Sequence, residues 1–133
     1  MYKHILLPTD GSDRSLRAVD AGVELAKKLN ARVTGLFVSE PTYIPGVDET
    51  HAPRAEAALA TITQRAQAAG IESVCVASLG DTPQDAIVEY AQEKGCDLII
   101  MGTHGRSKVG KFFLGSVAAA VLADCDIPVL LYR

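Results

Sequence analysis

The stretch GTHGRSKVGKFFLGS, from Gly102 to Ser116, gathers four glycines, three cations and one histidine directly behind the apolar run LIIM. Glycine with cations in that setting is phosphate chemistry, and two spacings within the stretch can be set against it. The first is GRSKVGKF, Gly105 to Phe112, which follows a Walker A loop as far as Lys111. That loop needs a Ser or Thr next, whose hydroxyl meets Mg²⁺. Here the residue is Phe112, and the one remaining strand-like run, PVLLY, offers no acid for the second half of such a site. The second spacing is Gly102-x2-Gly105-x9-Gly115-Ser116. Glycine permits positive φ and lets a phosphate approach the backbone closely. If Gly115-Ser116 opens a helix, the amides of residues 116–118 are first-turn donors without helical partners, aimed along the dipole at an anion. The plainer alternative is a Gly102–Gly105 turn with Ser116 as an ordinary helix cap, and spacing alone leaves both open.

A nucleotide site needs a second wall, and LPTDGS (Leu7–Ser12) supplies a candidate at the end of the first apolar run. Asp10 would stand at the carboxyl edge of a sheet, where α/β proteins bind ligands and where a carboxylate can accept from ribose hydroxyls. Its alternative role is turn and cap chemistry, for which Asp-Gly-Ser is well suited. Asp10 and Gly102 can share a ligand only if strands 1 and 4 are neighbours. The order 3-2-1-4-5 meets that condition; 2-1-3-4-5 does not. The second order is that of response-regulator receivers, which need an acidic pair after strand 1, an Asp ending strand 3 and a Lys ending strand 5. This chain has the single Asp10, an Asp81 displaced beyond Leu79, and LLYR at its end, so the receiver reading fails.

The elements that must hold these residues alternate along the chain. HILL (4–7), RVTGLFV (32–38), SVCVASL (73–79), DLIIM (97–101) and PVLLY (128–132) read as strands. Residues 12–29 place Leu16, Val19, Val23, Ala26 and Leu29 at helical spacing, with Ser12 as the N-cap and Asn30 as the stop. Residues 52–69 form a second helix ended by Gly70. Pro83 opens a third whose face carries Ala86, Ile87, Tyr90, Ala91 and Lys94, and residues 116–124 form a short Ala-rich fourth. Such alternation implies βαβ units: a doubly wound α/β domain spanning 1–133, with a parallel sheet and helices on both faces.

Composition narrows the function classes. The net charge of −3 gives the whole chain no basic footprint for nucleic acid. Yet Leu98 to Ala123 contains no acid while holding Arg106, Lys108 and Lys111, a local preference for a small anion. No apolar run approaches the ~20 residues that span a bilayer, and MYKHILLP is no signal peptide. Cys75, Cys96 and Cys125 form no CxxC pair, and their odd number suits a reducing compartment, so a cytoplasmic location is expected. Cys75 is expected in the core, with Cys96 and Cys125 partly exposed. His4, His51 and His104 have no metal-ligand spacing.

PTDGS, DLIIMGTHGRS and Gly-x2-Gly-x9-Gly-Ser together resemble the universal stress protein family, in its ATP-binding branch, and the likeness runs from MYKHILLPTDGS to IPVLLYR. The resemblance implies a five-stranded parallel sheet ordered 3-2-1-4-5, with ATP across the carboxyl edge between strands 1 and 4. It implies Pro8, Thr9 and Asp10 at the adenosine end, with Asp10 on the ribose and Val38 against adenine. Met101 and Gly102 would lead into the phosphate loop, where Gly105, Gly115, Ser116 and the Val117 amide hold phosphates. His104, Arg106, Lys108 and Lys111 are the weaker candidates. Mg²⁺ would be held mainly by the phosphates. Many members of that branch place a hydroxyl residue after Gly-Ser-Val; this chain has Ala118, which bears on affinity.

The resemblance also implies a homodimer through the last strand, Pro128, Val129, Leu130, Leu131 and Tyr132, an uncharged edge of the kind that invites pairing. The expected function is a cytoplasmic, ATP-binding, dimeric stress-response regulator with no nucleic-acid or membrane partner and room for an unidentified protein partner. The alternatives are a slow ATPase or phosphotransferase using His104 or Ser116, and a nucleotide-free interaction module.

Overall fold

The computed structural model describes residues 1–39, 52–79, 82–103 and 114–133. Its elements run β1 (His4–Thr9), α1 (Asp13–Leu29), β2 (Arg32–Ser39), α2 (Ala52–Ala69), β3 (Ser73–Leu79), α3 (Pro83–Glu93), β4 (Leu98–Gly102), α4 (Ser116–Asp124) and β5 (Val129–Tyr132). The strands form one sheet in the order β3-β2-β1-β4-β5, every neighbouring pair parallel, as expected.

Alternation of side chains across the sheet builds two apolar layers. Ile5, Leu7, Val33 and Ile100 pack with Val19, Val23 and Ala26 of α1 and with Ile62 and Ala66 of α2. On the other face Leu6, Leu36, Ile99 and Met101 pack with Ala86, Ile87 and Ala91 of α3 and with Ala118 and Val121 of α4. β1 lies between β2 and β4 and all six of its residues are buried, so it reads as a continuous apolar run and not as an alternation.

The helix ends follow local chemistry. Ser12 Oγ accepts from the Ser15 amide at 3.3 Å at the start of α1, and Asn30 takes the left-handed conformation at its end, φ 54°. Thr82 is the N-cap of α3, with Pro83 in its first turn.

Several boundaries and burials differ from the sequence reading. β1 runs on through Pro8 and Thr9 because β2 continues to pair with it as far as Thr9↔Phe37. Asp97 lies just outside β4, its carboxylate accepting from the Lys3 and His4 amides at 2.8 and 3.0 Å. Pro128 precedes β5, though its carbonyl accepts from Ile99 N at 2.9 Å. Lys94 is exposed beyond the end of α3, its ammonium 5.6 Å from the Tyr90 ring centroid. Cys96 is buried and Cys75 only partly so, the reverse of the expectation.

Candidate functional site

At the end of β1 the turn Thr9–Ser12 is knit by its own side chains. The Thr9 hydroxyl accepts from the Gly11 amide at 3.0 Å and lies 2.6 Å from Ser15 Oγ. Ser15 Oγ donates to the Ser12 carbonyl at 2.9 Å, which makes Thr9 the donor in the pair with Ser15. Asp10 Oδ1 accepts from the Ser12 amide at 2.9 Å. Both roles foreseen for Asp10 are thereby compatible: one oxygen closes the turn, and the partly exposed carboxylate still stands at the carboxyl edge of the sheet. Gly11 has φ +84°, a conformation that suits glycine.

Next to this turn the β1–β4 hydrogen-bond ladder is interrupted. The Lys3 carbonyl accepts from Arg32 N on the β2 side, whereas the His4 carbonyl accepts from Asp97 N on the β4 side. Successive residues therefore face alternate neighbours, and Pro8, in phase with His4 and Leu6, faces β4. A residue here would donate its N–H to the Ile100 carbonyl; proline has none to give. The β1–β4 pairing accordingly consists of Ile5↔Leu98 and Leu6↔Ile99, although the strands run on to Thr9 and Gly102. The interruption falls where strand order reverses, the position at which open α/β sheets take ligands. Val38 and Met101, 5% and 6% exposed, lie in the apolar layer on the α3–α4 side, the side toward which Pro8 projects with Leu6.

Beyond β4 the Thr103 amide donates to the Tyr132 carbonyl at 3.2 Å, and Gly115 N donates to the Thr103 carbonyl at 2.7 Å. The two ends of the glycine-rich segment are thus tied together, and α4 starts beside the end of β4. Its first intrahelical bond runs from Ala119 N to the Gly115 carbonyl at 2.9 Å, so the amides of Ser116, Val117 and Ala118 precede the helical ladder. Ser116 is exposed, Val117 half-buried, and Ala118, 2% exposed, packs in the core with Val121. Positive φ is found at neither Gly102 nor Gly115, whose φ is −58°; the described glycine of this edge that needs it is Gly11. What Gly102 and Gly115 contribute is the absence of a side chain.

The structure thus gathers Pro8, Thr9, Asp10, Val38, Met101, Gly102, Gly115, Ser116 and Val117 at the carboxyl edge about the ends of β1, β2 and β4. His104, Gly105, Arg106, Lys108 and Lys111 lie outside the described residues. Sequence reasoning missed Ser15, whose hydroxyl locks Thr9, and Arg54 of α2, whose guanidinium lies 5.6 Å from the Phe37 ring centroid behind Gly11. A buried serine six residues after Thr9 looks like any helix serine until the turn is seen.

Comparison with known proteins agrees with this architecture. The model of the universal stress protein family matches residues 1–133. A universal stress protein of Methanocaldococcus jannaschii is 32% identical over 142 aligned positions, covering 100% of this chain and 83% of that protein. One from Thermus aquaticus is 36% identical, covering 100% of both. Among solved structures, a universal stress protein in complex with cAMP is 35% identical with a TM-score of 0.75, covering 99% of this chain and 97% of the other. The chain belongs to the universal stress protein family.

Proposed function

We propose that this protein binds ATP across the carboxyl edge of the sheet between β1 and β4 and acts as a dimeric, cytoplasmic, nucleotide-responsive regulator, its 133 residues working as one domain. The observation that carries the reading is that Asp10 and the first-turn amides of α4 stand at the carboxyl ends of the neighbouring strands β1 and β4, where strand order reverses. An apolar wall, a carboxylate and a row of helix N-terminal donors are the chemistry of base, ribose and phosphate respectively. The relative solved with cAMP supports the adenine part of this assignment.

In this reading Pro8, Val38 and Met101 flank adenine, Thr9 holds the turn and Asp10 accepts from the ribose. Gly102, Gly115, Ser116 and the Val117 amide face the phosphates, with His104, Gly105 and Arg106 completing that loop. ATP brings Mg²⁺ held mainly by its own phosphates; among the described residues no cluster of three His, Cys, Asp or Glu side chains is placed to hold a metal.

Mass spectrometry of nucleotide released from the purified protein, with calorimetric titration of ATP-Mg²⁺, ADP, AMP and cAMP, tests the assignment. Bound ATP or a preference for ATP is the expected result, and Gly115→Val, which puts a branched side chain at the mouth of α4, should abolish the heat. A preference for cAMP over ATP would replace the triphosphate reading. No heat with any nucleotide would end the proposal.

A further inference from the structure

The turn that carries Asp10 is backed by a residue from a different helix. A Cβ built on Gly11 would meet Arg54 Cγ at 3.2 Å, Arg54 Cδ at 3.5 Å and Phe37 Cε2 at 3.5 Å. The methylene stem of Arg54 and the edge of the Phe37 ring therefore both pack on the Gly11 α-carbon. The guanidinium lies over the same ring, 5.6 Å from its centroid, within cation–π range. Phe37 is fully buried and forms a small cluster with Ala55 and Ala58 of α2. Three pieces of chain meet at this one side chain: the Asp10–Gly11–Ser12 turn, the end of β2 and the first turn of α2.

The stack has consequences for the site. Phe37 and Val38 are neighbours on β2 and face opposite sides of the sheet, Phe37 toward Arg54 and Val38 into the α3–α4 layer. The Arg54 stem and the Phe37 ring, both in contact with Gly11 and with each other, tie the turn to the strand that carries Val38. Asp10 is one residue from Gly11, and its carboxylate keeps its aim only while the Ser12 amide stays on Oδ1. Gly11 has φ +84° and no side chain of its own to resist displacement.

We infer that Arg54 is a positioning residue for the sugar: its stem, pressed on Gly11 against Phe37, holds the Asp10 turn so that the carboxylate discriminates a ribose from a 2′-deoxyribose. The inference deepens the proposed function and rests on its placement of Asp10 at the ribose. In this inference Arg54 acts through the turn. Because the stem makes the contact, the unbranched apolar variant Arg54→Met should keep most of the effect, and Arg54→Ala should lose it.

The experiment pairs two readouts on the full chain. One is the ratio of calorimetric affinities for ATP and 2′-deoxy-ATP in wild type, Arg54→Met and Arg54→Ala. A carboxylate–hydroxyl bond is worth about a factor of ten or more in affinity, so the wild-type ratio should be about ten or above and should fall toward one in Arg54→Ala. Arg54→Met should stay near wild type. The other is amide hydrogen exchange at Gly11 and Ser12, whose N–H groups are bonded to Thr9 Oγ1 and Asp10 Oδ1. Exchange there should quicken in Arg54→Ala and not in Arg54→Met. Unchanged exchange in Arg54→Ala would overturn the clamp. Faster exchange with an unchanged ratio would overturn its role in sugar selection, as would equal losses for the two nucleotides. A wild type that binds neither nucleotide would sink the proposed function and the ribose assignment with it, while the exchange data would still decide whether Arg54 clamps the turn.

Discussion

His4 sits at the amino edge of the sheet, the end opposite the candidate site, and is 8% exposed. Its Nε2 is 2.7 Å from Thr34 Oγ1 and 3.7 Å from Cys96 Sγ. Burial lowers its pKa below the ordinary 6.5, and the Arg32 guanidinium pushes in the same direction; the Lys94 backbone, Asp97 and Glu72 pull the other way without reversing it. The unfolded chain therefore takes up this proton more readily than the folded one. The stabilising effect of the neutral ring is fully present above pH 6.5 and is lost as pH falls through that value toward the lower folded pKa. Cys96, pushed up to about 11 mainly by burial and then by Asp97, stays a thiol throughout that range and leaves the response to His4. Thermal unfolding followed between about pH 8 and about pH 5 should show the melting temperature of wild type falling more steeply than that of His4→Gln. Parallel curves would assign the acid sensitivity to other groups.

At the scale of elements, Pro8 decides where the β1–β4 hydrogen-bond ladder stops. Pro8→Ala supplies the missing donor, and its amide should bond to the Ile100 carbonyl, extend the ladder and become slow to exchange. The stability change should be small, since one hydrogen bond of about 1 kcal/mol is offset by about 0.4–1 kcal/mol of added freedom in the unfolded chain. An unprotected amide at position 8 would show that the missing proline N–H is not what ends the ladder. Gly22 in α1 shows tight packing from the other side of the sheet, where an added Cβ would lie 2.3 Å from Leu7 Cδ2. Overpacking costs about 1–3 kcal/mol against about 1 kcal/mol gained in helix propensity, so Gly22→Ala should lose up to about 2 kcal/mol in denaturant unfolding. The strand order and the pairing of Asp10 with Gly102 were legible in sequence, because apolar runs, caps and motif positions are local signals and two ligand walls must be neighbours. The phase of Pro8 was not, since which neighbour a strand residue faces depends on register. Arg54 was equally hidden: its contact with Gly11 joins residues far apart in sequence, and no spacing rule links them.

The sheet as a whole has two edges, β3 and β5, and neither strand carries a charged residue: SVCVASL and VLLY. On β3, Val74 is 56% exposed. On β5, Leu131 packs into the α3–α4 layer while Leu130 and Tyr132, each 40% exposed, project together to the other side. Two large apolar side chains at neighbouring positions on one face make the better self-complementary surface for a twofold contact, so a dimer is expected through β5 and not through β3. Leu130→Lys should yield a monomer in sedimentation equilibrium, whereas Val74→Lys should leave the dimer intact. The proposed nucleotide site lies at the carboxyl ends of β1 and β4, both within one chain, so monomeric Leu130→Lys should still bind nucleotide with wild-type affinity. Loss of binding on dissociation would mean that the partner completes the site. A monomeric wild type, or a dimer that persists in Leu130→Lys and fails in Val74→Lys, would move the contact away from β5.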